Sequence, residues 1–187
     1  SEQLQSDFDK IVKTSKLSNE EIQFKKNFLN NFKKRGFPNR KQEDWKFLDI
    51  SQIIKKNIGD LSFFNDYSQS NKIDPSIFVD GLEHNKIIFI NGRIEKIDFS
   101  FEQQNKIEII DETKKDISFD YENSLIDLNS AFTDKVFKIL IKKNYTLKKP
   151  LIIYHSTNNK INSTNINLRL DFELGENSCL KLIDYFA

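Results

Sequence analysis

Residues 165–174 read NINLRLDFEL, and this stretch has the clearest periodicity in the chain. Every second side chain is apolar, namely Ile166, Leu168, Leu170, Phe172 and Leu174. Successive side chains of a β-strand point to opposite faces, so strict alternation predicts a strand with a buried apolar face and a solvated polar face. The stretch therefore indicates a half-buried β-strand.

Similar short runs lie on either side of this stretch, at residues 136–141, 151–155 and 179–186. They recur about every 14 residues and are separated by segments rich in turn-forming residues, a pattern typical of a sandwich, a barrel or a β-solenoid. The pattern does not separate these three architectures. It predicts an all-β second half, which we place at residues 67–187.

A hairpin is predicted earlier in that half, where Asn91-Gly92 separates the apolar residues 87–90 from Ile94. Asn-Gly between apolar runs favours a two-residue hairpin turn. Such a turn needs a positive φ at both positions, and Asn and Gly tolerate a positive φ. Strands are therefore expected on both sides of Asn91-Gly92.

The first part of the chain has helical periodicity instead. Ser18 and Glu21 have the spacing of a capping box, which predicts the start of a helix. An apolar stripe of Phe24, Phe28 and Phe32 follows, and Gly36 suits a left-handed C-terminal cap. We interpret the stripe as core packing, and we predict a helical domain over residues 1–66.

The last residues, 180–187, read LKLIDYFA and still have the pattern of a strand. An unpaired apolar strand edge pairs with other edges, and repeat folds need a cap at each end. The sequence therefore predicts a shortened chain that self-associates through its C-terminal strands.

Composition excludes several classes of function. The 187 residues include 29 Lys and Arg against 28 Asp and Glu, so the formal net charge is +1. The protein therefore lacks the strongly positive electrostatic field that attracts nucleic acid. No apolar run reaches the roughly 20 residues of a membrane span. The first ten residues lack the pattern of a signal peptide, and a single cysteine agrees with a reducing compartment. We expect a cytoplasmic protein without nucleic-acid or membrane partners.

Residues of the types that act in catalysis or metal binding are scattered along the sequence. His84 and His155 are far apart and have no neighbouring ligands at metal-site spacing, so no metal or cofactor site is predicted. Cys179 precedes apolar residues, where we expect a small buried thiol. No phosphate-binding glycine loop or G-x-S-x-G motif is present. We therefore predict no catalytic, cofactor-binding or metal-binding residues, and no enzyme activity.

One segment is rich in charged and aromatic side chains. Residues 37–50 read FPNRKQEDWKFLDI and include Trp45, the only tryptophan. Residues 40–46 are equally compatible with a binding surface and with a structural clasp, in which Trp45 fills a pocket and Arg40 pairs with a carboxylate. In either case we predict that Trp45 is largely buried between the helical part and the β part of the chain.

Three segments resemble the SufB/SufD family of iron-sulfur cluster assembly proteins, and SufD most. The first is residues 37–47. The second comprises residues 128–132, the strand that follows them and residues 147–151. The third comprises residues 165–178 and 182–185. The sequence departs from the family pattern at Asn39, Phe47, Leu48 and Glu176.

The resemblance implies an α+β chain, in which a helical domain is followed by the opening coils of a right-handed parallel β-helix. It also implies a non-catalytic scaffold subunit of the SufBCD complex, with a SufB-like paralogue and a SufC-like ATPase as partners. Iron-sulfur clusters would be handled by the complex, and ATP would be bound by the SufC-like subunit. The family's functional histidine and subunit contacts cannot be mapped onto these residues.

Two alternatives belong to other classes. A solitary β-solenoid or sandwich could bind carbohydrate, which requires exposed aromatic ladders. A polysaccharide lyase would need clustered charged residues on a solvated strand face, and one such row is formed by Asn167, Arg169, Asp171 and Glu173. Alternation of this kind more often reflects a solvated face without chemistry.

Overall fold

The computed structural model describes residues 2–66, 70–112 and 123–187. These residues form four α-helices and seven β-strands, so the predicted α+β class is confirmed. The helices are α1 (Glu2–Thr14), α2 (Asn19–Arg35), α3 (Ile50–Asn57) and α4 (Ser124–Phe132). The strands are β1 (Asn85–Ile90), β2 (Arg93–Asp98), β3 (Ile107–Glu112), β4 (Val136–Ile141), β5 (Leu151–Ser156), β6 (Arg169–Leu174) and β7 (Leu182–Phe186).

The chain folds into two compact units that interleave in sequence. The helical unit comprises the described residues of Ser1–Asn65, Thr113–Lys135 and Asn162–Arg169. The sheet unit comprises those of Asp66–Glu112, Val136–Ile161 and Leu170–Ala187. The boundary predicted after residue 66 adjoins residues 67–69, which lie outside the described residues.

The helical unit is built around α1, α2 and α4. The predicted capping box is confirmed, because the Glu21 amide donates to Ser18 Oγ and the Ser18 amide donates to the Glu21 carboxylate at 2.6 Å. Gly36 ends α2 with φ 68° and ψ −170°, so it has the positive φ that favours glycine, but not the left-handed helical conformation that was predicted. The apolar core of the unit consists of Leu4, Phe8, Ile11, Leu29, Phe32, Phe63, Leu128, Ala131 and Phe132.

The helix α4 corrects the prediction of an all-β second half. Asn123 caps it by accepting from the amides of Leu125 and Ile126, and its buried residues pack into the core of the helical unit. Three polar side chains of α4 are also buried, namely Ser124, Asp127 and Ser130. Helical periodicity is weak in a short segment that is buried on several sides, which is why the sequence pattern did not reveal it.

Two polar contacts fix α4 to α2. Arg35 Nη1 lies 2.6 Å from Asp127 Oδ2. Lys25, which is only 7% exposed, donates to the carbonyls of Ser130 and Thr133 at the C-terminal end of α4. A cation at this end satisfies carbonyls that have no partner within the helix.

The sheet unit contains a four-stranded sheet in the order β2-β1-β5-β7 and a three-stranded sheet in the order β3-β4-β6. The strands β1, β5 and β7 are parallel neighbours, whereas β1 pairs antiparallel with β2. The predicted hairpin between β1 and β2 is confirmed, and Asn91 and Gly92 have φ of 53° and 82°. Both turn positions therefore have the positive φ that a two-residue hairpin needs.

Both faces of the four-stranded sheet are covered at β1 and β5. On one face, Ile88, Ile90, Ile152 and Tyr154 pack against apolar residues of the segment 73–79. On the other face, the ring of Phe89 lies 5.8 Å from the ring of Phe137 in β4. Strands that are buried on both faces have continuous apolar runs, which explains the sequences of β1 and β5.

Two strand–turn–strand segments lie side by side and run in the same direction. One runs through β4 and β5, and the other through β6 and β7. Leu151 pairs with Leu182, thirty-one positions later, and the parallel register continues to His155 and Phe186. The turns also pair, because Cys179 donates its amide to the carbonyl of Tyr145 and accepts from the amide of Leu147.

The strand predicted over residues 165–174 is shorter than expected and its burial differs from the prediction. β6 begins at Arg169, Asn167 is buried, and Phe172 and Leu174 are 37% and 53% exposed. β6 is the edge of its sheet, so the described residues leave part of its apolar face open to solvent. Alternation correctly indicated the strand, but it cannot say whether another element covers the apolar face.

Candidate functional site

The segment that follows α2 forms a loop, a 3-10 turn at Glu43–Trp45 and then α3. Pro38 is buried and its carbonyl accepts from the amide of Ile50, which returns the loop to the start of α3. Asp49 caps α3 by accepting from the amide of Gln52 at 3.0 Å. The loop is therefore held at its two ends, and the side chains of residues 40–48 other than Trp45 are exposed.

The clasp interpretation of this segment is not supported by its contacts. Arg40 is exposed and makes no ion pair with another described residue, and Trp45 is only partly buried. The expected largely buried tryptophan with an arginine–carboxylate pair is therefore not found.

Large apolar side chains are exposed after Trp45. Phe47 is 86% exposed, and Leu48, Ile53 and Ile58 are each more than 40% exposed. We call these four residues the α3 surface. No residue of α3 itself is buried, although its sequence is amphipathic. Contiguous exposed apolar residues commonly mark interaction sites, so the α3 surface is the first candidate site.

A second group of exposed apolar residues lies on the outer strands of the sheet unit. It consists of Phe172, Leu174, Leu182, Ile183, Tyr185 and Phe186, which we call the β6–β7 edge. Among the described residues, ten of the twelve large exposed hydrophobic side chains belong to this edge or to the α3 surface. β6 and β7 are each the last strand of their sheet, so their outer backbone groups are available for pairing.

An aromatic ladder crosses three parallel strands and ends at this edge. The His155 ring is stacked between Phe89, at 5.5 Å, and Phe186, at 4.6 Å. His155 Nε2 also lies 2.6 Å from Asp184 Oδ1. The ladder follows from the in-register pairing of β1, β5 and β7, which places Phe89, His155 and Phe186 in one row.

The other histidine has a structural role. His84 is buried, its Nδ1 faces the carbonyl of Leu82, and its Nε2 lies 2.6 Å from the hydroxyl of Tyr154. We assign the proton to Nδ1, because a carbonyl can only accept. The Tyr154 hydroxyl then donates to His84 and accepts from the amide of Val79 at 3.1 Å. Burial raises the pKa of Tyr154. This network fixes the segment that covers the sheet.

The carboxylate of Glu102 accepts four hydrogen bonds within the sheet unit. It accepts from Asn85 Nδ2, from the Tyr145 hydroxyl, and from the amides of Lys148 and Lys149. Burial alone would raise the pKa of Glu102, but these hydrogen bonds outweigh it and lower the pKa below its ordinary value. These contacts join the start of β1 to the loop between β4 and β5, so the role of Glu102 is to hold these segments together.

Cys179 corrects the expectation of a buried thiol. It is exposed and lies in the turn before β7, where it pairs with Thr146 across a parallel bridge. The neighbouring Leu180 and Leu182 suggested burial, but Leu182 is the first residue of an edge strand whose apolar side chains are exposed.

The residues considered for chemistry are not brought together into a catalytic or metal-binding arrangement. His84 bonds to Tyr154, His155 to Asp184, and Glu173 pairs with Lys138 at 3.0 Å. Within residues 2–66, 70–112 and 123–187, no group of three His, Cys, Asp or Glu side chains is placed to hold a metal ion.

The helices give no indication of a membrane span. None that the described ranges contain is both long enough and apolar enough to cross a bilayer. The α3 surface and the β6–β7 edge remain the two candidate sites, and exposed apolar surfaces suit contacts with other proteins. Comparison of the chain with protein-family models and with curated proteins finds no match.

Proposed function

We propose that the protein is a non-catalytic, SufD-like scaffold subunit of a cytoplasmic complex that assembles iron-sulfur clusters. Its partners are a SufB-like paralogue and a SufC-like ATPase, which binds the ATP. The proposal rests on the resemblance of three sequence segments to the SufB/SufD family and on the strand pairing of the sheet unit.

The observation that carries the proposal is the parallel pairing of two consecutive strand–turn–strand segments. Parallel strands of one sheet are usually joined by a crossover helix. Here the connection from β5 to β7 passes instead through β6, a strand of the other sheet. Each segment thus contributes one strand to each sheet and lies beside the next, as expected of successive coils in a β-solenoid.

We infer that these segments are opening coils of a right-handed parallel β-helix. The pairing extends around the corner between the two sheets, because Gly175 donates to the carbonyl of Ile141 and Leu151 donates to the carbonyl of Lys181. The ladder of Phe89, His155 and Phe186 adds the side-chain stacking that in-register parallel coils produce.

The alternative of a solitary carbohydrate-binding module needs several aromatic faces presented to the sugar. In the aromatic ladder Phe89 is 1% exposed, whereas Phe186 is 74% exposed. The other exposed rings nearby, Phe172 and Tyr185, are less than 40% exposed and lie among the aliphatic side chains of the β6–β7 edge. This mixed edge favours contact with another coil or strand over a sugar platform.

Copurification tests the proposed function. The tagged protein is produced together with SufB-like and SufC-like proteins from the same source, and the affinity-purified material is analysed by mass spectrometry and size-exclusion chromatography. We expect one complex that contains all three. Recovery of the protein without either partner would contradict the proposal and favour the solitary module.

The β6–β7 edge also supports the expected self-association. We predict that light scattering of the isolated chain shows a mass that increases with concentration, because exposed strand edges pair with one another. Leu182→Lys should suppress the increase by placing a charge in the edge. Leu82→Lys is the matched control, since Leu82 is 40% exposed and Leu182 is 42% exposed. A strictly monomeric chain at all concentrations would refute this prediction.

A further inference from the structure

The hairpin turn between β1 and β2 contains the only Asn-Gly pair in the sequence, Asn91-Gly92. Asparagine before glycine is chemically labile, because glycine has no Cβ to hinder attack by its backbone nitrogen on the asparagine side chain. Scaffold function makes no use of this pair. Its surroundings decide how readily it reacts.

The side chain of Asn91 is held by Asn158 at both of its polar atoms. Asn91 Nδ2 donates to Asn158 Oδ1 at 2.8 Å, and Asn91 Oδ1 accepts from the Asn158 amide at 3.0 Å. Asn91 is only 6% exposed, and its own amide donates to the carbonyl of Ser156. The carboxamide therefore cannot turn onto the Gly92 nitrogen without breaking its bonds to Asn158.

Asn158 is fixed by further hydrogen bonds. Its Nδ2 donates to Asn71 Oδ1 at 2.9 Å, and its Oδ1 also accepts from the amide of Lys160 at 3.0 Å. Asn71 donates both its amide and its Nδ2 to Glu95 Oε1 in β2. Each carboxamide in the row from Asn91 to Asn71 thus donates to the next member, and the Glu95 carboxylate accepts at the end.

We propose that Asn91 is a deamidation site and that its reaction is controlled by the hydrogen bonds from Asn158. In the reaction, the Gly92 backbone nitrogen loses its proton and attacks Asn91 Cγ. The C–N bond of the carboxamide breaks, ammonia leaves with a proton from the solvent, and a cyclic succinimide forms. Water then opens the ring and gives aspartate or isoaspartate at position 91.

The modification would break the row of hydrogen bonds at its first member. A carboxylate at position 91 has no donor for Asn158 Oδ1, so two accepting oxygens would face each other. Isoaspartate would also lengthen the backbone within a turn whose two residues both have positive φ. The hairpin and its link to Asn71 would loosen, whether or not the protein acts in cluster assembly.

The first test compares the folded protein with the same chain unfolded in urea. Both are incubated at mildly alkaline pH, which favours loss of the Gly92 proton, and the products at each asparagine are measured by peptide mass spectrometry. We expect Asn91 to react slowly in the folded protein and much faster in the unfolded chain, because the reaction requires local opening.

The second test uses Asn158→Ala, which removes the acceptor of Asn91 Nδ2. We expect the rate at Asn91 to increase about fivefold, the effect of one lost hydrogen bond. The rate is divided by that at Asn177, an exposed residue of the turn after β6, so that a general loss of structure cancels. Asn159→Ala is the matched control, because Asn159 is the exposed neighbour of Asn158 and should leave the ratio unchanged.

Three results would overturn the proposal. Equal rates at Asn91 in the folded and unfolded chain would mean that the side chain is not protected. An unchanged ratio in Asn158→Ala, or the same increase in Asn159→Ala, would mean that the bond from Asn158 does not control the reaction.

Discussion

Gly175→Ala is expected to lower the free energy of unfolding by about 1–3 kcal/mol, the usual range for an extra methyl group in a closely packed site. A Cβ at this position would lie 2.5 Å from the backbone nitrogen of Lys143 and 2.8 Å from its Cα. Backbone atoms cannot move away as a flexible side chain does. The methyl group would therefore push apart the turns that follow β4 and β6.

The matched control is Glu176→Ala, one position further along the same turn. Glu176 is exposed, and its carbonyl, which accepts from the amide of Asn144, is unchanged by the substitution. Urea denaturation of the two variants and the wild type gives the comparison. Equal stability of all three proteins would mean that the two turns are not in close contact, which would remove the support for stacked coils.

The second large effect is a pH dependence of the free energy of unfolding, which originates in Lys25. Burial lowers the pKa of Lys25 to about 8 from 10.5, although Asp134 and Glu21 oppose the change. Between these two pH values the unfolded chain holds a proton that the folded chain has released. Stability therefore increases with pH across this window, and the full difference corresponds to about 3 kcal/mol.

Lys25→Met provides the comparison, because methionine fills a similar volume and has no charge. We expect the stability of the wild type to increase relative to the variant from pH 8 to about 10.5, when both are measured by chemical denaturation. Taking the difference between the proteins cancels the titration of the other lysines and of the tyrosines. A difference that stays constant with pH would show that Lys25 keeps its ordinary pKa.

Local features of the fold were predictable because their causes are local. The capping box of Ser18 and Glu21 and the Asn91-Gly92 turn depend on neighbouring residues alone. The strand β4 was also predicted with its observed bounds, Val136–Ile141. Hydrogen bonds within a few residues decide the cap and the turn, whereas β4, which pairs with the distant β3, was recognisable from its apolar run.

Other features depend on contacts between distant parts of the chain. Residues 162–169 return to the helical unit, where Thr164 forms a bridge with Ser62 and the Leu168 carbonyl accepts from Asn129. Nothing in the local sequence specifies such a return. The burial of polar residues in α4 has the same origin, since Asp127 is buried because Arg35 of α2 pairs with it.

The candidate site was predictable only in part. The segment 40–46 drew attention by its composition, but Phe47, Leu48 and Ile53 have the residue types of a core and are exposed nonetheless. Apolar character predicts burial, and it cannot distinguish a core residue from one that awaits a partner.

Iron and sulfide analysis tests most directly the proposal that this protein is a non-catalytic scaffold in cluster assembly. The protein alone and its purified complex with SufB-like and SufC-like partners are reconstituted anaerobically, and their absorption spectra are compared with those of the partners alone. We predict a stoichiometric cluster in the complex, a lower yield from the partners alone, and none on the isolated protein. A stoichiometric cluster on the isolated protein through Cys179, or a yield that does not depend on the protein, would contradict the account.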